Sequence, residues 1–363
     1  MTTFDPAPTV GPRDGADGSA SARAATSPAR RGSDYAELSR LVRQAGLLDR
    51  RPGWYAARFG LNTAMLAAGW AAFFLLQDSW WQLATAVWLA VVFAQTAFLG
   101  HDAGHRQVFR RRRANDLIGL VHGNLLIGLS YGWWVGKHNR HHANPNHEDL
   151  DPDVIIGTVA FTSDQARARR GLTRVMARYQ AWLFFPLLTL EAVHLHGASV
   201  KAVLRDTVRS RRLEALLLLA HLAGNLTALL LVLSPLRAAV FVIVQQGLFG
   251  LYLGCAFAPN HKGMPMLTEA DKLDYLRRQV LTSRNVRGSR LVDFALGGLN
   301  YQIEHHLFPN MPRPNLRRSQ ALVRGFCLQH GLSYHESTAF GSYAQALRHL
   351  HAVGAPLRPA AAD

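Results

Sequence analysis

Polar and apolar residues are sorted into long blocks along this chain. Residues 60–76 carry no charge and include Trp70, Phe73 and Phe74. A second apolar block, 80–100, follows Gln77, Asp78 and Ser79, and two more occupy 215–233 and 238–258, divided by Ser234 and Pro235. A helix crosses a bilayer with about 20 mainly apolar residues, so these four blocks predict four spans. The short separators predict two helical hairpins, with Trp80 and Trp81 suited to the membrane–water interface. Two further blocks, 117–136 and 179–195, are long enough to span but carry groups that are costly in hydrocarbon. The first holds His122, Asn124 and five glycines; the second holds Pro186, Glu191 and His194.

Three histidine clusters mark the polar stretches: His101-Asp-Ala-Gly-His105, His138-Asn-Arg-His141-His142 and Gln302-Ile-Glu-His305-His306. Spacings of i, i+3 and i+4 put each cluster on one helix face. So many imidazoles beside apolar blocks point to a shared metal site, since imidazole suits iron, zinc and copper. Ligands of one site must meet on one side of a membrane, so an even number of spans separates any two clusters. Block 117–136 is therefore expected not to cross, and block 179–195 is expected to lie in the interface.

Composition adds an orientation. The 363 residues hold 40 Lys and Arg against 24 Asp and Glu, a net charge of +16. The arginines flank apolar blocks rather than interleave with aromatics, which argues against nucleic acid as a partner. The turns after 76 and 233 are nearly free of cations, whereas Arg50, Arg51, Arg58, Arg106, Arg110 to Arg113, Lys137 and Arg140 lie on the other side. The positive-inside tendency then puts both termini and all three clusters in the cytoplasm. Cys255 and Cys327 have neither disulfide-framework nor zinc-finger spacing. Residues 1–35 are expected as a disordered tail, 36–352 as one membrane domain and 353–363 as a loose end. The fold class expected is an all-α integral membrane protein. Four transmembrane helices in two hairpins, with interfacial helices, would carry a cytoplasmic helical cap.

Structural zinc is satisfied by four ligands, usually with cysteine among them, so seven clustered histidines suit two metal ions better than one. Iron fits an imidazole-rich site with open positions. Soluble di-iron bundles use paired Glu-x-x-His motifs, and here only Glu191-Ala-Val-His194 has that spacing. Asp102, Glu148, Asp149, Asp151, Asp153 and Glu304 are placed to orient imidazoles from behind.

The order HDAGH, HNRHH, QIEHH resembles the membrane fatty acid desaturase family. So do the stretches 138–153 (HNRHHANPNHEDLDPD) and 302–312 (QIEHHLFPNMP). The glutamine opening the third cluster resembles the front-end subgroup and its bacterial acyl desaturase relatives, many of which carry a fused cytochrome domain with a His-Pro-Gly-Gly motif. That motif does not occur in this sequence. The resemblance, over roughly 50–350, implies an enzyme in which two iron ions and O2 remove two hydrogens from a fatty acyl chain. It implies electrons from a separate donor such as ferredoxin or a cytochrome/flavin reductase system. It also implies a ligand set of His101, His105, His138, His141, His142, His261, His305 and His306, with Gln302 in a ninth position. Asn260 stands beside His261 at the end of the fourth span, and Gln302 departs from the all-histidine pattern. Asp102, Asn260, His147 and Glu304 are expected around the ligands.

An apolar tunnel would hold the acyl chain, delivered as an acyl-CoA or an acyl lipid, with Tyr131, Trp133 and Trp134 as candidate walls. Lys137, Arg140 and the Arg110 to Arg113 run are candidates for its anionic head group. His122, His194 and His196 are expected as packing or interfacial residues. His221 is expected to bond a neighbouring helix, and His330, His335, His349 and His351 to lie on the surface. The expected setting is a bacterial plasma membrane, among its lipids. A hydroxylase or ketolase on the same scaffold is the nearest alternative. A haem protein or metal carrier is the non-enzymatic one.

Overall fold

The computed structural model describes residues 33–155 and 157–359. The expected N-terminal tail lies outside the described residues except for its last three. There Ser33 Oγ accepts the Ala36 N–H at 3.2 Å and starts the helix Asp34–Gln44.

The chain is largely helical, and four helices are long and apolar enough to cross a membrane: Pro52–Leu76, Gln82–Gly104, Arg211–Val232 and Pro235–His261. Proline starts the first and last, where its missing N–H costs nothing. The second long helix is central, with 67% of its most apolar stretch buried against 17% for the first and 11% for the third. It packs on both the first and the fourth. The outward faces of the first and third helices present Leu61, Leu75, Leu216, Leu219, Leu230 and Leu231, an apolar exposure suited to lipid. Polar contacts tie the second helix to the first and to the fourth: Asn62 Nδ2 donates to Thr96 Oγ1 at 2.8 Å, and Gln95 Nε2 to Tyr252 Oη at 2.9 Å.

Neither doubtful block is one straight helix. The first runs as Arg112–Leu120, a π-helical turn Val121–Leu126, a break through Gly128 at φ +69°, and the helix Tyr131–Ala143. The break is held by the buried carboxylate of Glu214, on the third long helix. It accepts from Ser130 Oγ at 2.5 Å, Asn124 Nδ2 at 3.1 Å and the Gly132 N–H at 3.3 Å. The second block is two helices, Gln180–Leu188 and Glu191–Leu204, bent by 67°. Gly250 lets this bend approach the fourth helix. A Cβ there would lie 2.7 Å from Ala192 N and 2.8 Å from Leu188 O. Gly250→Val is expected to cost about 1–3 kcal/mol by overpacking against backbone that cannot yield. A denaturation midpoint unchanged from the parent protein would contradict this.

Beyond the fourth helix the chain builds the cap. Strands Asn285–Arg287 and Glu336–Thr338 pair in parallel, tying the segment before the third histidine cluster to the helix Ala339–Gly354. The loose end expected from 353 is corrected over 353–359. Val353 and Leu357 are buried against Ala160, Ala166 and Ala177, so the packed chain continues past the helix end. Residues 360–363 lie outside the described residues.

Candidate metal centre

The three clusters meet. His101 and His105 end the second long helix, His138, His141 and His142 line the last turns of Tyr131–Ala143, and His305 and His306 sit on the short helix Gln302–Leu307. His261 closes the fourth long helix. They divide into two sets whose ligand atoms lie within 4.8 Å of one another: His101, His105, His138 and His305, then His141, His261 and His306. His142 joins the sets. Its Nε2 is 3.1 Å from His138 Nε2, and its ring stacks on His306 at a centroid distance of 4.2 Å.

The hydrogen bonds settle which nitrogens face inward in the second set. His261 Nδ1 donates to Thr282 O at 2.9 Å, His306 Nδ1 to Gln279 Oε1 at 2.9 Å, and His141 Nδ1 to Asp151 at 3.0 Å from each oxygen. With Nδ1 spent as a donor, each Nε2 carries a lone pair. His261 Nε2 and His306 Nε2 face each other at 3.0 Å, and two lone pairs at that distance repel unless a proton or a metal ion lies between them. In the first set His101 Nε2, His105 Nε2 and both nitrogens of His305 are buried with no hydrogen-bond partner. Buried nitrogens without a partner are costly, and a metal ion is one group that would take them.

Electrostatics agree. Burial holds His105, His138, His142, His305 and His306 well below the usual imidazole range, each helped by neighbouring histidines, so all five are neutral and ready to ligate near pH 7. His141 is raised instead. Burial opposes its charge, but the charge of Asp151 and its hydrogen bond outweigh that.

Of the residues expected behind the ligands, Asp102 and Asn260 lie against members of the two sets. Asp102 lies 3.5 Å from His101 Nδ1 and pairs with Arg313 at 2.7 Å. Asn260 Nδ2 donates to Gln302 Oε1 at 3.3 Å, and Gln302 Nε2 stands 2.8 Å from His261 Nε2. A half-turn of that amide would direct its oxygen at the second set. His147 stands outside both sets; its Nδ1 accepts the Asp149 N–H at 3.2 Å in an outer turn. The carboxylates of Glu148 and Asp149 bond no imidazole among the described residues, whereas Asp153 reaches His141 Nδ1 at 3.5 Å.

Glu304 also corrects the expectation. On a helix that points residues 302, 305 and 306 inward, residue 304 faces the opposite way. Its carboxyl accepts from Asn285 Nδ2 at 2.7 Å and Tyr334 Oη at 2.5 Å, and braces the helix from behind. Burial pushes Glu304 up to about 7. An acid raised in the folded state leaves stability intact below its ordinary range and withdraws it as pH rises towards 7. Stability is therefore expected to fall between about pH 4.5 and 7, by an amount on the order of 3 kcal/mol, and Glu304→Gln to flatten that slope. Parallel pH–stability curves for the two proteins would contradict this.

The substrate candidates separate. Trp134 stacks on His138 at 4.5 Å and packs over Gly104, so it walls the first set. Trp133 lies away from it, among Ala202, Val203, Val208 and Leu218, and Tyr131 fills the space beside Gly119. Lys137 is not free for an anionic head group: it is ion-paired with Asp153 at close range. Arg140 and Arg110 to Arg113 are exposed.

His122, His196 and His221 spend their Nδ1 atoms on the carbonyls of Ile118, Gly128 and Leu125, as packing residues do. His349, expected on the surface, is half-buried and bonds Phe161 O at 3.1 Å. Gln279 and Thr282 carry no local signal: Gln279 reaches His306 through the packing of the helix Tyr275–Leu281 against Gln302–Leu307, and the Thr282 carbonyl, at the end of the former helix, meets His261 of the fourth long helix. From the former helix Tyr275 Oη also donates to His306 O at 2.8 Å.

Comparison with known proteins decides what this centre belongs to. The family model described as fatty acid desaturase matches residues 78–338, which include all three clusters and His261. The chain belongs to the fatty acid desaturase family. This desaturase-family chain is similar to an acyl-lipid (9-3)-desaturase of Physcomitrium patens, 32% identical over 84% of the chain and 59% of that protein. It is likewise similar to the Delta(6)-fatty-acid desaturase fat-3 of Caenorhabditis elegans, 33% identical over 76% of the chain and 66% of that protein. Fatty acid desaturase 3 of Bos taurus is 32% identical over 83% of the chain and 68% of its own length. The chain thus spans about three-fifths to two-thirds of the length of these curated relatives. The four long apolar helices are those of a membrane protein of this family.

Proposed function

We propose that this protein is a fatty acyl desaturase that holds two iron ions in the two histidine sets and uses O2 as co-substrate. The observation that carries the reading is the pair of adjoining histidine sets, the first with unpartnered buried imidazole nitrogens, in a chain of the desaturase family. The donor chemistry fits: neutral imidazoles with no thiolate suit iron with open positions. Iron would supply the oxidising power to break an unactivated C–H bond, which no side-chain acid or base can do. The ligands are proposed as His101, His105, His138, His141, His142, His261, His305 and His306, with Gln302 at the second set.

The protein's own part is to hold and exclude. Trp134, stacked on His138, walls the first set on one side, and Asp151, Gln279 and the Thr282 carbonyl keep three imidazoles turned inward. The acyl chain loses two hydrogens, and O2 takes these together with two electrons from a donor and two protons from solvent, giving two waters and a carbon–carbon double bond. We assign the donor to a separate redox protein. The acyl group arrives on CoA or on a lipid, with exposed Arg140 and Arg110 to Arg113 as the cations available to its head group.

The four long helices are proposed to span the membrane as two hairpins. Residues 117–136 and 179–195 would then lie at its surface, which the bends at Gly128 and near residue 189 support. Both termini and the histidines would face the cytoplasm of a bacterial plasma membrane, and one domain would extend from the helix at Asp34 to about residue 359. The test is fatty-acid analysis of a host expressing the chain. A new alkene without added oxygen is expected. A hydroxylated product alone, or an unchanged profile from iron-loaded protein supplied with reductant, would refute the assignment.

A further inference from the structure

The end of the fourth long helix, where His261 leaves it, is held by an unusual set of donors. Pro259 has no N–H to give to Cys255 O four residues back. Tyr343 Oη, from the helix Ala339–Gly354, donates to that carbonyl at 2.6 Å instead. The last carbonyls of a helix have no partner within it, and here one side chain takes two of them. Arg284 is fully buried. Its Nε donates to Pro259 O at 3.0 Å, and its Nη2 donates to Lys262 O at 2.9 Å. Its Nη1 donates to Gln345 Oε1 at 2.8 Å, and its own N–H to Asn260 O at 2.8 Å. The guanidinium has no carboxylate partner among the described residues; the negative end of the helix dipole and these carbonyls stabilise its charge. Two residues upstream, Thr282 O accepts from His261 Nδ1. Arg284 thus stands between the C-terminal helix and a single ligand of the second set, and bonds no residue of the first.

We propose that Arg284, backed by Tyr343 and Gln345 of the C-terminal helix, is a positioning residue that aims His261 at the second set, so that retention of the second metal ion, and not the first, depends on that helix. This rests on the two-ion reading above. The test uses the purified full chain loaded with ferrous iron, and follows iron content and the rate of release to a ferrous chelator. His306→Ala, which removes a second-set ligand, identifies the phase belonging to that set. Arg284→Met is expected to accelerate that phase by about 10–100-fold and leave the other unchanged, with Arg284→Lys recovering part of the loss. Should Arg284→Met fail to accumulate, Tyr343→Phe is expected to accelerate the same phase by several-fold. Equal acceleration of both phases, or of neither, would overturn the proposal. Parent protein binding fewer than two irons would instead remove the two-ion reading, and the proposal with it.

Discussion

Replacing His306 with alanine is expected to lower iron from about two ions per chain to about one and to abolish alkene formation. His306 faces His261 across 3.0 Å and belongs with His141 to the set of three. Its removal leaves too few imidazoles to retain the ion against dissociation. Gln279→Leu should produce a graded version, because it leaves the ligand in place and deletes only the acceptor that fixes its tautomer. A loss of about 10–100-fold in metal affinity or turnover is the expected size. Metal analysis of both purified variants, beside product analysis of the host, checks the pair. Full iron content in the His306→Ala protein would show that the second set is not a metal position.

Arg313→Met is expected to be the most destabilising single change outside the ligands, at about 3–5 kcal/mol. Arg313 and Asp102 are both nearly inaccessible to solvent and pair at 2.7 Å. The same guanidinium donates to Phe98 O at 2.6 Å, and the Arg313 N–H donates to Tyr55 Oη at 3.3 Å. Methionine would strand the Asp102 carboxylate in a dry interior beside His101. Adding Asp102→Asn should then recover much of the loss, because the stranded charge, rather than a missing attraction, carries most of the cost. Thermal denaturation in detergent reads both. Arg313→Met within about 1 kcal/mol of the parent protein would refute the argument.

What could be read from residues alone follows the range of the forces. The long helices show as uninterrupted apolar blocks, and each histidine cluster shows as a face of one helix, since both patterns are local. The division of the histidines into two sets is not local: His305 joins His101 while its neighbour His306 joins His261. Lys137 looked free because Asp153, which pairs with it, lies 16 residues further along a folded loop. Gln279, Arg284 and Arg313 matter through contacts made across the fold, so no spacing announces them. Glu304 is different. Helix geometry alone turns it away from Gln302, His305 and His306, so its place was readable from spacing and its proximity in sequence misled.

The first set draws on His101 and His105 near one end of the chain and on His305 near the other. A growing polypeptide that has released its first four apolar helices from the ribosome therefore still lacks a complete pocket of either kind. On the two-ion reading, metal delivery has to wait until the segment that carries His305 and His306 has been made. A truncation ahead of Gln302 would remove His305 from the first set and His306 from the second, leaving neither set complete.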